Sequence, residues 1–318
     1  MAPLVWLVTG TTSGIGRALI EHIVARGDKV IASGRRVEEK LGALKSESLA
    51  LLELDITAGR AAIAAKMAEA WAVFGHIDVL LNNAGASAMC SAEEATDEYI
   101  DKLFAVNLFG PMHVTQALLP YLRERAASVP TSSPRIGFTS SSTAWTSLPF
   151  LSHYAASKAA LSAYVEALDK EVSSLGIRCA AFECGGFPTH LGQPRADGDA
   201  AFGGQGGTAL PAVYGPGLAA LGGMFMSDPM AFMPGALEKV APLIVDVLKR
   251  DGAELVAGKP WAVRVWFGSD AYASVKQKCD EVLVLLDEFK DVAYATDRDG
   301  YDHVTRPEYL KATSILEK

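Results

Sequence analysis

The sequence predicts a doubly wound α/β fold, a parallel sheet with helices on both faces. Three observations carry that prediction. Apolar runs of strand length recur along the 318 residues, with helix-period patterns between them. The runs are apolar on both faces, as in strands covered from both sides, and do not alternate like half-exposed strands. The connections between them are long enough for crossover helices, which parallel pairing requires. With 50% hydrophobic residues, the chain has ample material for a core.

The elements follow in order. Leu4–Thr9 reads as the first strand, followed by a helix from about Ile15 to Arg26 that the Gly27-Asp28 turn closes. Lys29–Ser33 and Leu49–Leu54 are the second and third strands. An alanine-rich helix covers Arg60–Phe74, and Ile77–Asn82 is the fourth strand. A long helix is expected over Asp97–Arg125, bent near Gly110-Pro111. Arg135–Ser140 is the fifth strand, His153–Leu175 a helix ended by Gly176, and Ile177–Phe182 the sixth strand. The rhythm then breaks: Gly185–Gly235 holds 13 of the 29 glycines and reads as a long functional loop. Its methionines, Met224, Met226, Met230 and Met233, suit an adaptable apolar cover. A helix over Pro234–Arg250, a strand near Ala262–Phe267 and a helix from about Asp270 restore the pattern, and the charged last twenty residues read as peripheral.

The charge balance excludes several classes of function. Lys plus Arg is 29 against 37 Asp plus Glu, a formal charge of −8, with no basic run longer than a pair, so nucleic acid is not an expected partner. Four scattered cysteines (Cys90, Cys179, Cys184, Cys279) form neither a disulfide framework nor a zinc signature, and no metal site is expected. The apolar stretches fall short of the ~20 residues of a membrane span. The first residues lack the basic region of a signal peptide. A soluble cytoplasmic protein is the expectation.

Between the first strand and helix lies Thr9-Gly10-Thr11-Thr12-Ser13-Gly14-Ile15-Gly16. Glycines here let the backbone turn tightly and let a pyrophosphate reach the free N–H groups of a helix N-terminus. The second strand ends in Gly34-Arg35-Arg36, with no acidic residue to bond a ribose 2′-hydroxyl. Arginine suits a 2′-phosphate, so the expected cofactor is NADP(H) in preference to NAD(H), with Arg35 as the phosphate ligand.

Three residues separate Gly10 from Gly14, a longer spacing than the common dinucleotide fingerprint. With this spacing the chain resembles the short-chain dehydrogenase/reductase family. The resemblance continues through Asn82-Asn83-Ala84-Gly85, Asn107, Ser141 and Tyr154-Ala-Ala-Ser-Lys158, in the family's order over nearly the whole chain. Glu183-Cys-Gly-Gly-Phe-Pro-Thr189 and Gly268-Ser-Asp-Ala-Tyr272 look like fungal members in particular. The resemblance implies a Rossmann-type domain with the glycine turn, Thr12, Ser13, Ile15, Asp55-Ile56, Asn83, Ala84 and Gly85 around the dinucleotide. Asp55 reads equally as a helix cap.

Tyr154 and Lys158 share one helix face. An ammonium about 4 Å from a phenol could lower its pKa by up to ~3 units, towards 7. By the resemblance, Tyr154 is the acid/base and Ser141 bonds the substrate oxygen. Lys158 binds the nicotinamide ribose, and Asn107 holds a relay water. The family also implies two departures. Ser13 stands where some NADP-preferring relatives carry a second basic residue. Cys184-Gly185 replaces the usual Pro-Gly beside the nicotinamide carboxamide, with Gly185 and Thr189 as ligands and a turn freed by the lost proline.

Candidate substrate walls are Trp145, Phe150, His153, Phe187 and Met224, which favour an apolar or aromatic ketone or aldehyde. The expected function is an NADP(H)-dependent carbonyl reductase or alcohol dehydrogenase acting on a small-molecule carbonyl or alcohol. Imine reduction, reduction coupled to cyclisation, and dinucleotide binding without turnover remain open. One domain over 1–318 is expected. Residues 1–185 would form its cofactor-binding and catalytic core, 186–250 a substrate loop and lid, and 251–318 the last strand, helix and tail. Relatives commonly pair through the long helix and the tyrosine-bearing helix, so a homodimer or homotetramer is expected.

Overall fold

The structure, a computed structural model, describes residues 3–129, 133–189, 191, 212–227, 232–250, 255–300 and 307–315. Its centre is a seven-stranded parallel sheet in the order β3-β2-β1-β4-β5-β6-β7. In chain order the strands are β1 Val5–Thr9, β2 Lys29–Gly34, β3 Leu49–Glu53, β4 Val79–Asn82, β5 Arg135–Ser141, β6 Arg178–Cys184 and β7 Arg264–Phe267. All seven lie where the apolar runs predict them.

Alternate side chains of one strand feed opposite layers, which is why the runs are apolar on both faces. Leu7, Ile31, Ile136 and Phe138 pack with the helices that carry Ile63, Val114, Leu118 and Leu161. Trp6, Val8, Val30 and Phe182 face the other way, onto Leu19, Ile23, Ile244 and Leu248. Each such buried side chain contributes about 1.5–3 kcal/mol. Two buried aspartates pin the start of β1. Asp28 accepts from Leu4 N at 3.0 Å and Trp6 Nε1 at 3.0 Å, and Asp78 accepts from Val5 N at 2.9 Å.

Eleven α-helices are described, five of them before β5. These are α1 Gly14–Ala25, α2 Val37–Leu41, α3 Arg60–Phe74, α4 Asp97–Phe104 and α5 Gly110–Ser128. The expected long helix is thus two, joined by a π-helical turn over Ala105–Phe109. A Cβ on Gly110 would lie 2.8 Å from Ile56 O, so only glycine lets the helix pass there. The further helices are α6 Ser152–Val172, α7 Gly215–Ser227, α8 Leu237–Lys249, α9 Ser269–Glu288, α10 Lys290–Tyr294 and α11 Pro307–Thr313.

The expectation of loop throughout Gly185–Gly235 is corrected by α7, which is helical despite Gly215, Gly217, Gly222 and Gly223. Tyr214, just before it, donates to Glu93 Oε2 at 2.8 Å and meets the Phe150 ring edge-on at 6.3 Å, so tertiary contact supports what propensity does not. The side chains of Met224 and Met226, and Met230 altogether, lie outside the described residues. No helix among the described residues is long and apolar enough to cross a membrane.

Candidate active site

A cleft of about 1060 Å³ opens along the C-terminal ends of the strands. This is where parallel sheets place ligands, because the helix N-termini and the connecting loops converge there. Its first wall is the glycine turn. Gly10 (φ +70°) and Gly14 (φ +55°) adopt left-handed backbone that favours glycine. A Cβ on Gly10 would lie 2.6 Å from Ala84 Cα, so the turn sits directly against the Asn83-Ala84 segment. Thr9 Oγ1 accepts from Asn83 N and Ala84 N, both at 3.0 Å, while Asn83 Nδ2 donates to Thr9 O at 3.1 Å and Gly10 O at 3.2 Å. Ser13 makes no side-chain cap at the start of α1. Cradle, uncapped helix and roomy cleft together fit a dinucleotide pyrophosphate.

Thr12, Ser13, Gly14, Ile15, Gly16, Asn83, Ala84 and Gly85 line the cleft, as do Gly185 and Thr189. Arg35 lines it at the end of β2, together with Lys40, which sequence reading missed. Arg36 lines it too and is held by Glu39, with guanidinium to carboxylate contacts of 2.8 and 2.7 Å. Asp55 and Ile56 also line the cleft, and Asp55 closes its own turn by accepting from Thr57 N at 2.8 Å.

The four candidate catalytic residues converge deeper in. Asn107 sits in the π-helical turn, fully buried. Its Oδ1 accepts from Ala86 N at 2.9 Å, and its Nδ2 donates to Ala86 O at 2.9 Å and Ser157 Oγ at 3.0 Å. Lys158 Nζ donates to Thr139 O at 2.9 Å. A Cβ on Gly85 would lie 3.5 Å from both Asn107 Oδ1 and Lys158 Nζ, so the two groups share one small space. Ser141 lines the cleft with Tyr154, and its Oγ accepts from Thr143 N at 3.2 Å. Ser140 also lines the cleft, but its hydroxyl is engaged with Ser162 Oγ at 2.8 Å.

The electrostatics correct one expectation. Burial pushes the Tyr154 phenol up to about 12 against the downward pull of the Ser141 hydrogen bond. Burial also brings the Lys158 ammonium down to about 8. The ammonium stands 5.9 Å from the phenol's ring centroid, so desolvation outweighs an attraction reckoned for about 4 Å. The Cys184 thiol is buried beside them and pushed up to about 12, chiefly by burial. It is a neutral packing group.

Of the expected substrate walls, Phe187 lines the cleft. Trp145, Phe150 and His153 are not among its lining residues. Trp145 Nε1 donates to Glu183 Oε2 at 2.7 Å, Phe150 meets Tyr214, and His153 meets the Tyr99 ring at 6.1 Å. Apolar lining comes from Met89, Leu148, Leu151, Leu191, Phe232 and Met233, and polar lining from Thr143, Thr146, Asp270 and Ser274. Thr143 and Asp270 had a signal that went unread: each stands close to the C-terminal end of a strand.

Residues 4–200 match the family model for short chain dehydrogenase. The chain belongs to the short-chain dehydrogenase family. It is 33% identical over 192 residues to an uncharacterized oxidoreductase (YusZ) of Bacillus subtilis, covering 58% of this chain and 65% of that protein. It is also 33% identical to the mouse dehydrogenase/reductase SDR family member 7B, covering 58% of each. The match therefore spans less than two thirds of either curated relative. A solved short-chain dehydrogenase from Streptomyces avermitilis superposes with a TM-score of 0.76 at 32% identity, covering 93% of this chain and all of that one. This chain's seven-stranded parallel sheet is thus the family's fold.

Proposed function

We propose that the protein is an NADP(H)-dependent carbonyl reductase or alcohol dehydrogenase. The observation that carries this reading is the convergence of Ser141, Tyr154 and Lys158 on one cleft, with Asn107 beside Lys158. The bound nicotinamide would supply or accept the hydride. Tyr154, protonated across the neutral range, supplies the proton to a carbonyl oxygen, and the Ser141 hydroxyl holds that oxygen and its developing charge. Lys158 holds the nicotinamide ribose while charged, Asn107 and Gly85 leave room for a relay water, and the apolar lining excludes bulk water. The mixed lining suits a mainly apolar carbonyl compound that carries a polar substituent.

Arg35 and Lys40, which line the adenosine end of the cleft, support a 2′-phosphate. A fluorescence titration with NADPH and NADH tests this. Arg35→Ala should weaken NADPH binding by roughly ten- to a hundredfold, the worth of a charge-assisted hydrogen bond, and leave NADH almost unchanged. Equal binding of the two nucleotides by the wild-type protein would overturn the phosphate assignment and keep the fold.

The ionisations set a pH dependence. Lys158 is charged below about 8 and neutral above it, while Tyr154 keeps its proton to about 12. For carbonyl reduction, kcat/KM should be level below pH 8 and fall roughly tenfold per unit above it. A profile flat to pH 10 would show that the Lys158 charge is not needed.

A further inference from the structure

We propose that Asp270 is a positioning residue that fixes the turn after β6, and through it the nicotinamide end of the cleft. The inference rests on reading the cleft as a dinucleotide site. This turn lacks the proline usual in the family, yet it is held from outside. Gly185 N donates to Phe267 O at 2.8 Å, and Gly186 N donates to Asp270 Oδ2 at 2.7 Å. The fit is close. A Cβ on Gly185 would lie 2.3 and 2.4 Å from the two carboxylate oxygens, and one on Gly268 would lie 2.4 Å from Oδ1. Two glycines on different strand ends thus leave room for one carboxylate.

The carboxylate belongs to the first turn of α9, where unpaired N–H groups favour negative charge. It therefore ties the mouth of β7 to the mouth of β6. The tethered turn continues into Phe187 and Thr189, which line the cleft. Thr189 reaches the glycine turn, since a Cβ on Gly14 would lie 3.3 Å from Thr189 Cβ. Asp270 thereby holds the wall that faces the nicotinamide half. The adenosine end, at Arg35 and Lys40, is served by other elements.

The test compares whole and half ligands by calorimetry on the full chain: NADPH or NADH, whichever the wild-type protein binds, against its adenosine half (2′,5′-ADP or AMP). Asp270→Ala should weaken the dinucleotide roughly tenfold, as for a lost hydrogen bond to a charged group, and leave the half ligand unchanged. Asp270→Asn, which keeps an acceptor for Gly186 N–H, should restore most of the loss. If Asp270→Ala does not fold, Asp270→Ser, too short to reach Gly186, carries the same expectation. Wild-type affinity for the dinucleotide in either short variant would overturn the proposal. So would equal losses for whole and half ligand, which would mark a merely structural role. A wild-type protein that binds neither nucleotide would overturn the dinucleotide reading itself, and this proposal with it.

Discussion

Tyr154→Phe is expected to lower turnover by roughly a hundred- to ten-thousandfold, the range for a lost general acid, with dinucleotide affinity nearly unchanged. The ring is buried among Ala86, Tyr99 and Leu103, and phenylalanine keeps those contacts. Only the hydroxyl is lost. Because the phenol stands at about 12, the proton it would donate is present throughout the working pH range. Steady-state rates with a ketone and NADPH, beside a binding titration and a melting curve, separate chemistry from folding. Turnover within tenfold of wild type would remove Tyr154 from the mechanism.

Gly16→Ala should cost the dinucleotide site most of its affinity, roughly a hundredfold, or about 2.7 kcal/mol. A Cβ there would lie 2.2 Å from Gly10 O and 2.5 Å from Asn83 Nδ2. Neither neighbour can yield cheaply. Gly10 O is backbone, and Asn83 Nδ2 is bonded to both Thr9 O and Gly10 O. Either α1 retreats or the turn opens, and both move the helix N-terminus away from the pyrophosphate position. Overpacking of this kind also destabilises by about 1–3 kcal/mol. Gly27→Ala is the control, because Gly27 has left-handed backbone (φ +81°) but a Cβ there meets nothing within 4 Å. It should lower the melting temperature and leave affinity untouched. Full nucleotide affinity in the Gly16 variant would show that the cradle does not hold the pyrophosphate.

How much of this was legible beforehand follows from the range of each interaction. The seven strands and the glycine turn are local patterns, readable because apolar runs and glycine spacing are written in neighbouring residues. The tetrad was readable through its order and spacing, with Ser141 13 residues before Tyr154. The substrate walls were less so: Trp145, Phe150 and His153 are aromatic and near the tyrosine, yet Glu183, Tyr214 and Tyr99 draw them elsewhere. Helix α7 was hidden by its four glycines and rests on contacts from Tyr214 to residues distant in the chain.

By itself, then, the sequence determined the α/β class, the strand positions and the glycine turn, and it nominated the four residues proposed as catalytic. The tertiary structure alone decided three things. Burial of Tyr154 and Lys158 set their ionisation, because desolvation depends on every surrounding atom and not on a four-residue spacing. The contact of α5 with Ile56 accompanies the π-helical turn that holds Asn107. And Asp270 met Gly186 across 84 residues because β6 and β7 are neighbours in the sheet, a proximity that no local pattern records.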